Sequence, residues 1–219
     1  MTKLDLYELS LEASNEFLAV NEVKRPVFMT YEEAGVAEPY HTTNRAITFL
    51  RRFVAQDDRT QGSGTGLYYD GHVFVNIPRT ATPVREPGYR AWSWPGWKTD
   101  RTAVGVVAHE VGHYVEDKVL GHRSAAQRAA HRTAWFGLLK RYKRQVSGYE
   151  PVPAEAWAET MRLFILNPDL LQRALPERYG FILGCDIKPV TRLLKKGWRK
   201  VLSNLAYEPA AERWIGVKK

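Results

Sequence analysis

Cysteine is almost absent from this chain of 219 residues, because Cys185 is the only one. A single cysteine excludes an internal disulfide framework and every zinc site that needs two or more thiolates. Long apolar runs are absent too, so no segment is predicted to span a membrane. The first residues carry acids where a secretory signal needs an apolar segment, which favours an intracellular protein.

The second half of the chain has few acidic residues. Residues 1–120 contain 13 basic and 16 acidic side chains, whereas residues 121–219 contain 19 basic and 8 acidic ones. A basic surface can hold nucleic acid or an acidic protein. No nucleic-acid-binding motif accompanies the charge, so solvated helix faces are the favoured interpretation and nucleic acid is a disfavoured partner.

The distribution of apolar residues, prolines and glycines predicts an α+β fold, with a small antiparallel sheet beside a mostly helical body. Asp70-Gly71 suits the two-residue turn of a hairpin with strands at 67–69 and 72–77. A mostly helical N-terminal extension is expected over 1–65 and a main domain over 66–219, with one continuous domain as the alternative. Beyond the hairpin, helices are predicted near 102–120, 124–146, 153–166, 168–175 and 187–203, after an irregular tryptophan-containing stretch at 78–100.

The strongest chemical signal is an HExxH motif, formed by His109, Glu110 and His113. Residues four apart on a helix point the same way, so both imidazoles can bind one zinc ion. Glu110 lies about 100° around the helix from His109, where it can miss the metal and reach a water bound to it. This is the position that a general base needs.

Two histidines are too few ligands, because catalytic zinc usually takes three protein ligands and one water. The third ligand can be His122, His131 or an acid further along the chain. Glu155 and Glu159 are the best acid candidates because they lie four apart on one face of a predicted helix. One of them could bind the metal, and the other could accept the second ring N–H of a ligand histidine.

The segment from about 100 to 190 resembles the catalytic domain of anthrax lethal factor and the small zincins related to it. That family joins HExxH to a downstream helix of the form E-aromatic-aromatic-A-E-A-F-R-L, and this chain has EAWAETMRL at 155–163. The family continues with a proline, an aromatic residue and a Phe-Ile pair, which PERYGFI at 176–182 matches. Tyr149 takes the place of a tyrosine that the family carries before its glutamate helix.

This resemblance implies a zincin-like, gluzincin-type metallopeptidase with one Zn²⁺. It implies that His109, His113 and Glu155 bind the zinc and that Glu110 is the base. It further implies that Glu159 supports a ligand histidine and that Tyr149 donates to the oxyanion. The expected activity is hydrolysis of peptide bonds in a protein or peptide substrate, through a zinc-bound water activated by Glu110.

In zinc peptidases, a strand beside the HExxH helix holds the substrate by β-pairing. The predicted strand is His72–Ile77, and its substrate-binding residues are Val73, Phe74 and Val75. The loop at 92–97, which contains Trp92, Trp94 and Trp97, could form a wall of the cleft.

Two alternatives stay open. One is a protease of the Spartan/SprT kind, associated with DNA, with His122 as third ligand. The other is a non-catalytic or weakly active zincin-fold component of a larger assembly such as a phage particle. The expected location is therefore cytoplasmic or virion-associated.

Overall fold

The structure is a computed structural model, and it describes residues 2–36, 45–50, 65–80, 102–121 and 124–190. Within these ranges the chain is mixed α/β and mostly helical with a small sheet, as the sequence predicts, and the sheet has three strands where the sequence predicts two. The sheet has the strand order β1-β3-β2 and is mixed, because β1 runs parallel to β3 and β2 runs antiparallel to it. The prediction of a purely antiparallel sheet is therefore wrong.

The N-terminal segment belongs to the same core as the rest of the chain. Helix α1 (Lys3–Val20) begins with a capping box between Thr2 and Asp5, and its apolar face contributes Phe17 and Leu18 to the main core. Strand β1 (Val27–Thr30) pairs along β3, and helix α2 (Tyr31–Val36) follows it directly. In the described residues, α1 and β1 therefore share one core and one sheet with the segments after position 65, and the division of the chain at that position stays a prediction.

The predicted hairpin is present as strands β2 (Gly66–Tyr69) and β3 (His72–Val75). Asp70 and Gly71 both have positive φ, 46° and 75°, which suits the two-residue turn between the strands. A short 3₁₀-helix (Ile77–Arg79) follows β3.

Helix α3 (Ala103–Gly121) lies at the centre of the fold and carries the HExxH motif. It packs against α1, against the sheet and above all against helix α5 (Pro153–Leu166). The close contact with α5 depends on Gly112, because a Cβ atom there would lie 2.9 Å from Cβ of Met161 and 3.0 Å from Cα of Ala158. The Trp157 indole donates to the backbone carbonyl of Gly112 at 3.1 Å and fixes the two helices at this point.

Three further helices pack around α5. Helix α4 (Ala125–Arg141) begins with a capping box between Ser124 and Gln127. Helices α6 (Pro168–Ala174) and α7 (Pro176–Leu183) each start with proline, whose missing N–H and fixed φ suit the first helical position. Helix α7 was not predicted, and residues 187–190 are not helical, contrary to the prediction for 187–203, most of which lies outside the described residues. Within the described ranges, no helix combines the length and the apolar character needed to cross a bilayer.

Candidate metal centre

Helices α3 and α5 bring three potential ligands together. His109 and His113 lie one turn apart on α3, and their ring centroids are 4.9 Å apart. Glu155, in the first turn of α5, places Oε2 at 3.0 Å from Nε2 of His109 and 3.6 Å from Nε2 of His113. One ligand atom from each residue lies within 4.8 Å of the other two, so these atoms can converge on one metal ion. Among the described residues, His109, His113 and Glu155 form the one set of three or more His, Cys, Asp or Glu side chains whose ligand atoms lie this close together.

A buried carboxylate fixes the tautomer of His109. Nδ1 of His109 lies 2.8 Å from Oε1 of Glu159, whose side chain is fully buried. Arg162, also fully buried, donates to both oxygens of Glu159, from Nε at 3.2 Å and from a terminal nitrogen at 3.0 Å. Burial raises the pKa of Glu159, but the charge of Arg162 and the bond from His109 outweigh it and hold that pKa far below its ordinary value. An ionised carboxylate only accepts, so Nδ1 carries the hydrogen and Nε2 presents its lone pair to a metal.

The charges of the ligand residues are strongly coupled. Burial lowers the pKa of His109, but the bonds to Glu155 and Glu159 outweigh it and raise the pKa to about 10. Burial raises the pKa of Glu155, but His109 and His113 lower it to about 2. The carboxylate is therefore ionised, and a cation bound at Nε2 of His109 can take the place of the proton there.

Glu110 lies beside the three ligand residues on the same cleft. Burial raises the pKa of its carboxyl group above the ordinary value, against the lowering effect of His109 and His113. A backbone hydrogen bond from Tyr68 of β2 also holds the carboxylate. Strand β2 can approach this closely because Gly66 has no side chain, since a Cβ atom there would lie 2.7 Å from Oε1 of Glu110 and 2.5 Å from Cγ1 of Val106.

Tyr149 lines the same cleft, in the loop that precedes α5. Its ring centroid is 5.8 Å from that of His109, and 46% of the residue is exposed. Burial of the phenol and the nearby charges of Glu155, Glu110 and Glu159 raise the pKa of Tyr149, so its oxygen keeps its hydrogen at neutral pH. The phenol can therefore donate a hydrogen bond inside the cleft.

The cleft has a volume of about 1240 Å³ and is open to solvent along its length. The three potential ligands line it together with Gly66, Leu67 and Tyr68 of β2 and with residues of α4. The lining from α4 combines apolar with basic side chains, among them Phe136 and Arg132. A cleft of this size is large enough for an extended stretch of peptide.

Several predicted site residues are not at the cleft. Strand β3 is the central strand of the sheet, paired on both sides, and Val73, Phe74 and Val75 are fully buried. In the described sheet β3 therefore offers no open edge to a substrate strand, whereas β2 is an outer strand and lines the cleft. The outer position of β2 was not readable from the sequence because it depends on the pairing of β1 with β3.

His131 and His122 are the other candidates for the third ligand. His131 is buried among aromatic rings, with Trp157 and Phe181 at 5.2 and 5.3 Å, and its Nδ1 lies 3.7 Å from Sγ of Cys185. It is not among the converging ligand atoms. His122 and the tryptophan loop at 92–97 lie outside the described residues.

Two residues at the centre received no role from the sequence. Arg162 is the countercharge of Glu159, and its only sequence signal is its place three residues further along the same helix. Gly66 stands at the end of a glycine-rich loop, where the sequence indicates backbone freedom but not the close approach to Glu110.

Comparison of the chain with family models, with curated proteins and with solved structures finds no match. The metal centre is therefore assigned from its own residues and their contacts.

Proposed function

We propose that the chain is a zinc-dependent endopeptidase of the zincin type, which hydrolyses peptide bonds in a protein or peptide substrate. The observation that carries the proposal is the convergence of His109, His113 and Glu155 in one cleft that Glu110 and Tyr149 also line. The resemblance to the lethal-factor-like zincins supports the same ligand set and the same roles.

The donor set fits zinc. Two imidazole nitrogens and one carboxylate oxygen form a common protein ligand set of catalytic zinc, and they leave a coordination position for substrate or water. The bond from His109 to Glu159 orients the ring, and the ion pair with Arg162 keeps Glu159 ionised. The ligands come from two helices that pack tightly, so the site is held by rigid elements.

Zinc, when bound, supplies a Lewis acid that acidifies water and polarises a carbonyl group. Glu110 takes the proton from the attacking water and returns it to the leaving nitrogen. Burial raises its proton affinity, which suits a group that must both accept and release a proton near neutral pH. The phenolic hydrogen of Tyr149 binds the oxygen that becomes negative in the tetrahedral transition state.

The substrate lies between β2 and α4 in this proposal. In the described part of the sheet, β2 is an outer strand, and an extended peptide can pair along such an edge. The side chains of the peptide then face Trp135 and Phe136 of α4 and the first turn of α5. In this arrangement a peptide carbonyl group lies near the three proposed ligands.

Two alternatives are decided by experiment. A non-catalytic component of a larger assembly does not need Glu110, whose buried position beside the ligands favours the enzyme. The DNA-associated protease needs His122 as a ligand, whereas Glu155 already lies 3.0 Å from Nε2 of His109.

The test uses the full chain loaded with zinc and a broad peptide library, with cleavage read by mass spectrometry. We expect the wild type to cleave a subset of peptides and Glu110→Gln to be slower by a factor of about 10² to 10⁴, because the amide cannot take a proton. Glu116→Gln is the matched control, since Glu116 lines the same cleft. If the zinc-loaded wild type cleaves nothing, the assembly component is favoured, and a fully active Glu110→Gln variant contradicts the mechanism.

A further inference from the structure

We propose that Arg178 of α7 is a positioning residue for Tyr149, because it holds the loop 142–152 in the conformation that turns the phenol towards the metal centre. This inference rests on the proposed function, since it gives Tyr149 its purpose. Arg178 lies in the interior, behind α5, and does not line the cleft.

The guanidinium of Arg178 is 1% exposed and joins three segments of the chain. It forms a fork with Glu150, at 2.9 Å to Oε2 and 3.2 Å to Oε1. It also donates to Oγ1 of Thr160 on α5 at 3.0 Å and to the backbone oxygen of Arg144 at 2.6 Å. The start and the end of the loop are therefore both bound to one side chain.

Glu150 connects Arg178 to the backbone next to Tyr149 through hydrogen bonds. Its Oε1 accepts from the N–H of Val146 at 2.6 Å and from the N–H of Ser147 at 3.3 Å. Oγ of Ser147 then accepts from the N–H of Tyr149 at 3.1 Å. A continuous set of hydrogen bonds thus runs from Arg178 to the backbone of the residue that reaches the cleft.

The exposure of Tyr149 makes this support necessary. The residue is 46% exposed, so packing around its side chain is incomplete and the backbone must set its direction. A buried ion pair is an expensive way to join segments, because both charges lose their hydration. Burial raises the pKa of Glu150 against the lowering effect of Arg178, which reflects the same cost. An apolar contact would hold α7 against the loop, but it would not fix four backbone and side-chain oxygens in direction.

The test compares Arg178→Lys with Tyr149→Phe and with the double variant, in the full chain loaded with zinc. Lysine keeps the charge but cannot reach Glu150, Thr160 and the Arg144 carbonyl as a fork. Arg173→Lys, at an exposed position of α6, is the matched control. Glu150→Gln is the second variant, used if Arg178→Lys does not fold. It weakens the contact with Arg178 but keeps a side-chain oxygen that can accept from the loop amides.

Two readouts are taken. Hydrogen exchange of the amides of Val146, Ser147 and Tyr149 should become faster in Arg178→Lys and stay unchanged in Arg173→Lys. Tyr149→Phe should lower kcat/KM roughly 10- to 1,000-fold, as expected for one oxyanion donor. Arg178→Lys should lower it by at least about 10-fold, and the double variant should be no slower than Tyr149→Phe within about threefold, because both changes remove the same interaction.

Losses that multiply in the double variant, or unchanged exchange in the loop, overturn the proposal. A wild type that cleaves no peptide contradicts the proposed function and with it the catalytic purpose of Tyr149. The exchange measurement then still decides whether Arg178 holds the loop, so the two failures are distinguishable.

Discussion

Nδ1 of His109 lies 2.8 Å from Oε1 of Glu159, a carboxylate that solvent does not reach. The two residues are 50 positions apart in the chain, and the bond joins helix α3 to helix α5. The same helix α5 also presents Glu155 to the other nitrogen of the same ring. His109 is therefore held from both sides by one helix, and its orientation follows from the packing of α3 on α5.

We expect one zinc ion per chain and its loss when a ligand is removed. Elemental analysis after dialysis should give about one zinc in the wild type, and His113→Ala and Glu155→Ala should retain little, because two ligands hold the ion weakly. Asp169→Ala is the matched control, since Asp169 is an exposed acid in the first turn of α6. Zinc that stays in Glu155→Ala and is lost in His122→Ala would contradict the assignment.

Removal of the metal should also lower the thermal stability. A ligand that binds only the folded state stabilises it by about 2.7 kcal/mol at a free concentration of 100 Kd. The melting temperature of the wild type should therefore fall on chelation and recover with added zinc. The melting temperature of Glu155→Ala should respond much less to either treatment.

Variants of the ion pair between Arg162 and Glu159 should change the free energy of unfolding and the zinc affinity by different amounts. Arg162→Met leaves a buried carboxylate without its countercharge and should lower the free energy of unfolding by about 3–5 kcal/mol. Glu159→Leu combined with Arg162→Met removes both charges and should recover much of that loss. Urea denaturation with a chelator present, so that zinc does not contribute, measures both.

The double variant should nevertheless bind zinc about 10- to 100-fold more weakly, because Nδ1 of His109 has lost the acceptor that orients the ring. Competition with a fluorescent zinc chelator gives this affinity. Arg173→Met, at an exposed position of α6, is the control for loss of an arginine. Wild-type zinc affinity in the double variant would show that Glu159 does not orient the ring.

Local patterns in the sequence predict the helices that carry the cluster of His109, His113 and Glu155, because their spacing follows from helix geometry. The spacing of His109 and His113 places them on one face of α3, and the bounds of α5 agree with the predicted helix at 153–166. Glu155 and Glu159 lie one turn apart on that helix and meet the same ring. The spacing within each helix needs only residues that are near one another in the chain, whereas the meeting of α5 with the His109 ring spans 46 and 50 positions.

The features that the sequence does not predict depend on distant pairings. Strand β1 pairs with β3 across 45 positions, and this pairing makes β3 central and leaves β2 at the cleft. Helix α7 begins at Pro176, where proline suits the first position of a helix but equally ends the preceding one, so the local sequence alone does not predict it. The bonds of Arg178 to Glu150 span 28 positions and follow from where α7 lies in the fold.

A substitution at Gly112 tests the close packing between α3 and α5, the two helices that carry the potential ligands. Gly112→Ala places a Cβ atom 2.9 Å from Cβ of Met161 and 3.0 Å from Cα of Ala158, so α3 and α5 must separate. We expect a loss of about 1–3 kcal/mol in the free energy of unfolding. Gly137→Ala on α4 has nothing within 4 Å of the new atom and should be stabilising by up to about 1 kcal/mol. Equal stabilities of the two variants in urea denaturation would contradict this packing.

Gly66 tests the position of β2 against Glu110. Gly66→Ala places a Cβ atom 2.7 Å from Oε1 of Glu110 and 2.5 Å from Cγ1 of Val106, so either the strand or the carboxylate must move. A displaced base should lower kcat/KM about 10- to 100-fold, since small errors in the position of a reacting group are costly. Zinc content should stay at the wild-type level, because the three atoms nearest to the new Cβ belong to Val106 and Glu110 and not to a proposed ligand. Gly35→Ala, in α2 with open space around the new atom, should leave both measurements unchanged. If Gly66→Ala cleaves as fast as the wild type, β2 does not constrain the position of Glu110.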